Sequence, residues 1–286
     1  MILVANADDA GVDTARNTGI LEAASRGIVR SASLLAGFGG AEDFVARARD
    51  HGIGIGLHAN FTEGRPLVSG HRTLVAADGL FLGKRELFRR SIAGLIDERE
   101  ARRELEAAWK RMTDLGVQPT HVDGHNHAHL FPGISDVLPD VLPEGIWVRR
   151  PRGLRRAFDS ADSKAFLAGA DPYSSPGVLA GVLWDLVVDV NSRPSWGKFR
   201  SADRFDGLTL PPGYGAADLI AVLEKALSSG AQVVELMTHP GEPAEGSVPF
   251  SRSADRRREV EALTDARVLR AIEDHGIRLA SFAEAP

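Results

Sequence analysis

Short apolar runs alternate along this chain with stretches in which apolar residues recur at helical spacing. Ile2 to Ala5 form a continuous run rich in branched residues, the pattern of a strand buried on both faces. From about Asp13 to Arg26, Ala15, Ile20, Leu21, Ala23 and Ala24 predict a helix that stops at Gly27. Ile28 to Leu35 predicts a second strand, Ala41 to His51 a helix ending at Gly52, and Gly54 to Asn60 a third strand weakened by its glycines. Lys84 to Leu115 is charge-rich, with Leu105, Ala108, Trp109 and Met112 on one face, and predicts one or two outer helices. Pro119 to Asp123 reads as a strand, Ser135 to Leu142 as a short helix and Ile146 to Arg149 as a strand.

Pro151 to Ser175 carries no period and reads as a long loop, part of an irregular insertion over about 151–215. Val178 to Val190 reads within it as a strongly apolar helix. Leu219, Val222, Leu223 and Ala226 mark a helix closed by Gly230, followed by a strand over Val233 to Met237. A long helix from about Asp255 to His275 and a strand over Ile277 to Ala280 complete the series. Such alternation predicts an α/β fold with a parallel sheet covered by helices. A doubly wound sheet places a phosphate turn after its first strand, yet here that turn is Asp8-Asp9-Ala10-Gly11, which would repel phosphate. A barrel is the better expectation, as one domain over 1–286, with its site at the strand ends.

Composition narrows the functional classes. The formal charge is -5 with no long basic run, which disfavours a nucleic-acid partner. With no cysteine, disulfides, thiolate zinc sites, iron–sulfur clusters and cysteine nucleophiles are excluded. The start, MILVANADDAG, is too briefly apolar for a signal peptide or a membrane span, so the expectation is a cytoplasmic protein.

The candidate chemistry lies in histidines and carboxylates. Four of nine histidines fall in Thr120-His121-Val122-Asp123-Gly124-His125-Asn126-His127-Ala128-His129. In an extended chain His121, Asp123, His125, His127 and His129 share a face; in a helix His125 and His129 stand four apart, a spacing of metal ligands. Asp8 and Asp9 adjoin at the end of an apolar run, where burial calls for a positive partner such as a divalent cation; helix capping alone needs only one of them. His58 ends Gly54-Ile55-Gly56-Leu57-His58, and His239 follows the strand of Glu235-Leu236-Met237-Thr238. Each is also compatible with a structural or turn role. His51, His71 and His275 read as structural, and serines such as Ser31, Ser33 and Ser91 lack the context of a nucleophile elbow.

With Asn6-Ala7-Asp8-Asp9 and Gly11, Gly56-Leu57-His58, Thr62-Glu63-Gly64-Arg65-Pro66-Leu67, Pro119 to His129 and Glu235 to Gly241 in view, the chain resembles the YdjC-like carbohydrate deacetylases along nearly its whole length. This is the family of chitooligosaccharide and hopanoid-associated deacetylases. The resemblance implies a distorted (β/α) TIM-like barrel, often a homodimer, that removes an N-acetyl group from an amino sugar with one divalent metal. It maps the metal ligands onto Asp9, His58 and His125 and the base onto Asp8; adjacency leaves the two aspartates interchangeable. The family usually has Phe where this chain has Ala10, and Ser at Gly124.

The expected reaction is metal-assisted amide hydrolysis, with Asp8 as base and His239 as the acid that protonates the leaving amine. His121, Asp123, His127 and His129 are candidates for supporting the ligands, and Arg149 for touching substrate. Zinc is favoured by the mixed carboxylate and imidazole donors, with magnesium, manganese or cobalt also possible. The substrate would be an N-acetylated sugar, oligosaccharide or glycoconjugate. Two alternatives use the same residues: a non-haem iron oxygenase with a two-His one-carboxylate site, and a non-catalytic carbohydrate-binding protein stabilised by metal.

Overall fold

A computed structural model describes residues 1–151, 186, 188–208, 210–245 and 252–286. The loop expected over Pro151 to Ser175, apart from Pro151 itself, and most of the helix expected over Val178 to Val190, lie outside the described residues. In chain order the elements are β1 (Ile2–Ala10), α1 (Thr14–Arg26), β2 (Val29–Leu34), α2 (Ala41–Ala48), β3 (Gly54–Ala59), α3 (Lys84–Ile92), α4 (Glu98–Asp114), β4 (His121–Gly124), α5 (Leu138–Val141) and β5 (Trp147–Val148). There follow β6 (Arg204–Asp206), α6 (Ala216–Ser228), β7 (Val233–Thr238), α7 (Asp255–Thr264), α8 (Ala266–Asp274) and β8 (Arg278–Leu279). The strands run β5-β4-β3-β2-β1-β7-β6, with β8 also pairing β1. The pairings of β1 with β2, β7 and β8, of β2 with β3 and of β6 with β7 are all parallel. Parallel strands alternating with helices make this an α/β fold of the barrel type.

The residues group into two compact units, each discontinuous in sequence. One comprises 1–58, 112–121 and 202–286, the other 59–111 and 122–201. In the first unit β1 is the central strand, buried from Leu3 to Ala10 and twice as long as its apolar run. The strand continues through Asn6, Asp8 and Asp9 because hydrogen bonds and neighbouring charges replace the water those groups lose. The turn that follows is fixed by Asn17 of α1. Its Oδ1 accepts from Gly11 N at 2.9 Å and its Nδ2 donates to Gly40 O at 2.8 Å.

Helix α1 also holds the turn after β7. Gly19 packs so close to Gly241 that a Cβ at Gly19 would stand 2.4 Å from the Gly241 Cα. Gly19→Ala is therefore expected to lower stability by about 1–3 kcal/mol, through overpacking against backbone that cannot rotate away. A lower urea midpoint would show it; an unchanged midpoint would mean that α1 shifts freely. The single helix expected over Asp255 to His275 is two. Asp265 is extended (φ -66°, ψ 132°), and its side chain accepts from Arg267 N and starts α8. A short carboxylate that bonds its own backbone competes with helix continuation.

In the second unit the chain after β3 is laid onto α4 by two buried carboxylates one helical turn apart. Glu104 accepts from Leu67 N and Val68 N at 2.7 and 3.1 Å, and Glu100 from Arg72 N and Thr73 N, both at 2.8 Å. His71 Nε2 meets Glu104 at 2.9 Å, in keeping with its structural reading. The short helix expected over Ser135 to Leu142 covers only Leu138–Val141.

Candidate metal centre

Side chains alternate along a strand, so Asn6 and Asp8 share one face of β1 and Asp9 would point the other way. The pairing of β1 with β2 slips between Ala7 and Ala10, and Asp9 sits at φ +66°, a left-handed backbone that few non-glycine residues adopt. An irregularity of this kind re-aims a side chain. Here it brings Asp9 Oδ1 to 3.3 Å from His58 Nε2, with both residues buried. Two donors bound at about 2.1 Å to one ion, at angles of about 90–109°, stand roughly 3.0–3.4 Å apart. The pair is thus spaced as neighbouring ligands are, and a carboxylate beside an imidazole is a donor set for zinc or a similar divalent ion. His58 also has a ring nitrogen within 4.8 Å of a carboxylate oxygen of Asp8.

Strand β7 delivers His239. Its main chain is gripped from both sides: His239 N donates to Glu259 Oε2 at 2.7 Å, while His239 O accepts from Arg16 at 2.9 Å and Arg256 at 3.2 Å. Arg256 and Glu259 pair at 2.8 Å, both buried. Burial pushes the His239 imidazole below its usual range, and the charge of Asp8 is the strongest influence opposing that shift. The shift favours the neutral imidazole at His239.

The second unit carries the rest of the histidine motif, and neither a continuous strand nor an α-helix describes it. The chain leaves β4 at Gly124 and winds through a 3-10 turn over His125–Leu130, in which Asn126 (φ 54°) and His127 (φ 57°) are left-handed. This turn removes the shared face expected of an extended segment. His125 Nε2 lies 3.5 Å from Glu63 Oε2, and Asn126 Nδ2 donates to Thr62 Oγ1 at 3.0 Å. The Thr62 to Leu67 motif thus supports the His125 turn. His129 Nε2 pairs with Arg149 O at 3.0 Å, while His127 is buried with its ring 6.4 Å from that of His129. A Cβ at Gly124 would stand 2.6 Å from His129 Nδ1, so this imidazole occupies the space that a larger residue there would need.

Asp123, fully buried, pairs with the equally enclosed Arg149 at 2.6 Å. Arg149→Met is expected to cost about 3–5 kcal/mol in chemical unfolding, because Asp123 then keeps its charge without its cation. Adding Asp123→Asn should recover part of the loss. If it recovers none, the charge pair is not what holds these residues.

In the sequence Asn6 and Glu63 stand out only as motif members, and Ser33 carries no signal of a role. The available signal was strand alternation, which puts Asn6 and Asp8 on one face; nothing local signals that Glu63 meets His125.

Carboxylates and imidazoles at the ends of parallel strands define a barrel-type α/β protein with a centre suited to a divalent metal. The sequence comparisons carry this to a family. The chain belongs to the YdjC-like protein family, whose model matches residues 2–274. It is 33% identical to a human protein named carbohydrate deacetylase, over 99% of this chain and 90% of that one. It is 29% identical to the chitooligosaccharide deacetylase of Serratia marcescens, over 99% and 98%. A solved structure from Enterococcus faecalis V583 matches with a TM-score of 0.71 at 23% identity, covering 98% of this chain and 97% of that one, and shows the shared fold. Among the described residues, no helix is long and apolar enough to cross a membrane.

Proposed function

We propose that this chain is a hydrolase that removes the N-acetyl group from an amino-sugar-containing substrate by metal-assisted amide hydrolysis. Family membership and the names of its relatives support the reaction class. The observation that carries the mechanism is the buried Asp9–His58 pair with a second carboxylate, Asp8, beside it. The resemblance to the family maps the ligands of one divalent cation onto Asp9, His58 and His125, which would offer one carboxylate oxygen and two imidazole nitrogens. A cation so held supplies Lewis acidity toward the acetyl carbonyl and toward water.

The chain's own residues manage the protons. Asp8 takes the proton of the attacking water. His239, neutral at rest, takes that proton from Asp8 and, as imidazolium, gives it to the sugar nitrogen as the C–N bond breaks, so that acetate and the free amine leave. Glu63 steadies His125. The two-carboxylate arrangement favours hydrolysis over oxygenase chemistry, which needs no base next to its ligand, and over a purely structural metal.

The test is acetate release from N-acetylglucosamine oligosaccharides by the purified chain supplied in turn with zinc, magnesium, manganese or cobalt. Acetate equal to amine, without oxygen and suppressed by a chelator, is expected. Oxygen uptake with iron would replace the reading by the oxygenase, and tight metal binding without turnover by the binding protein.

A further inference from the structure

A buried hydrogen-bonded array leads away from Asp8 into the sheet of the first unit. Asn6 Nδ2 donates to Asp8 Oδ1 and to Ser33 Oγ, both at 2.8 Å. Ser33 Oγ lies 3.0 Å from His121 Nε2, and His121 Nδ1 lies 2.9 Å from Thr120 Oγ1. Three strands take part: β1 supplies Asn6 and Asp8, β2 supplies Ser33 and β4 supplies His121. Asn6, Ser33 and His121 are each at most 1% exposed.

The far end of the array is immobilised by packing. The His121 ring lies over Gly56, where a Cβ would come within 2.3 Å of Cε1, and its centroid is 4.3 Å from that of Phe282. Gly56 stands opposite Ser33 in the pairing of β2 with β3. Backbone on one side and an aromatic ring on the other leave the imidazole little room to tilt. An amide that donates one hydrogen to Ser33 and the other to Asp8 therefore holds the Asp8 carboxylate against a fixed frame. Asp9 is placed by a different device, the backbone irregularity that turns it toward His58.

We infer that Asn6, Ser33 and His121 are positioning residues that hold Asp8 as the proton acceptor, and that this array distinguishes the roles of two adjacent aspartates. The inference rests on the assignment of Asp8 as base under the proposed function. None of the three residues is asked to move a proton; an amide such as Asn6 serves here as a strut. Loss of a supporting partner behind a catalytic group commonly costs about 10–100-fold.

The experiment compares Ser33→Ala, Asn6→Ala, the double variant and Ser33→Thr as full chains, with metal content, kcat, KM and acetate release measured for each. Ser33→Ala should keep its metal and its KM while kcat falls about 10–100-fold. The double variant should be no slower than Asn6→Ala, since both cuts sever one path, and Ser33→Thr should restore part of kcat. An unchanged kcat in Ser33→Ala, or effects that multiply in the double variant, would overturn the inference while leaving the deacetylase reading intact. Metal loss in both single variants would also overturn it, making Asp8 a ligand. A second arm does not depend on turnover: in the ¹³C-aspartate-labelled chain, the Asp8 carboxylate signal, identified by its disappearance in Asp8→Asn, should move in Ser33→Ala. A signal that stays in place overturns the array whatever the substrate, whereas a signal that moves in Ser33→Ala, with no acetate released by the wild-type chain, overturns the functional reading alone.

Discussion

His58→Ala is expected to leave the purified chain without tightly bound metal and to lower acetate release by at least about a thousandfold, the several kcal/mol that a Lewis acid contributes to amide hydrolysis. His58 is buried and meets Asp9 at 3.3 Å, so its loss removes one donor and leaves the other carboxylate enclosed without its partner. The same enclosed carboxylate makes a change in stability part of the expected result, and metal analysis beside a melting curve separates the two effects. Full activity in a folded, metal-free His58→Ala chain would end the metal-assisted reading. Retention of metal at wild-type affinity would remove His58 from the ligand set.

Asp8→Asn is expected to do the reverse with respect to metal. The ion should remain bound, because Asp9 and His58 are untouched, while kcat falls by about 10²–10⁴-fold, the range for loss of a general base. An asparagine has nearly the same shape but no lone pair basic enough to accept a proton from water. Its amide also meets the Asn6 amide, which donates to Asp8 Oδ1 in the native chain at 2.8 Å. Equal loss of metal and rate would exchange the roles of the two aspartates.

These two results would settle a question that the amino-acid order leaves open. Adjacent aspartates are equivalent on paper, and strand alternation places them on opposite faces. The approach of Asp9 to His58 goes with a slip in the β1–β2 register and a left-handed Asp9, features set by how two strands pair rather than by either strand alone. Strand β1 illustrates the same limit in its length. Its apolar run stops at Ala5, but the strand continues to Ala10 because polar partners brought from β2 and β3 make burial of Asn6, Asp8 and Asp9 tolerable.

The histidine motif was legible as a concentration of ligand chemistry but not as a shape. His121 belongs to a strand and stacks on Phe282, His125 opens a turn beside Glu63, and His129 pairs with the backbone of Arg149. Two left-handed residues, Asn126 and His127, separate those fates, and such a backbone is stabilised by surroundings distant in sequence. Asp265 shows the local counterpart: a capping carboxylate splits an otherwise periodic helix, because its own bond to Arg267 N competes with the helical one.

The sequence by itself determined the α/β alternation, the strand ends as the place of chemistry, and the Asp and His inventory, because each follows from periodicity and residue type over a few neighbouring positions. The tertiary structure alone decided which donors meet, which aspartate faces His58 and which is braced through Asn6, Ser33 and His121. Those outcomes arise from strand pairing and close packing between residues as much as 88 positions apart, and no local pattern carries that information.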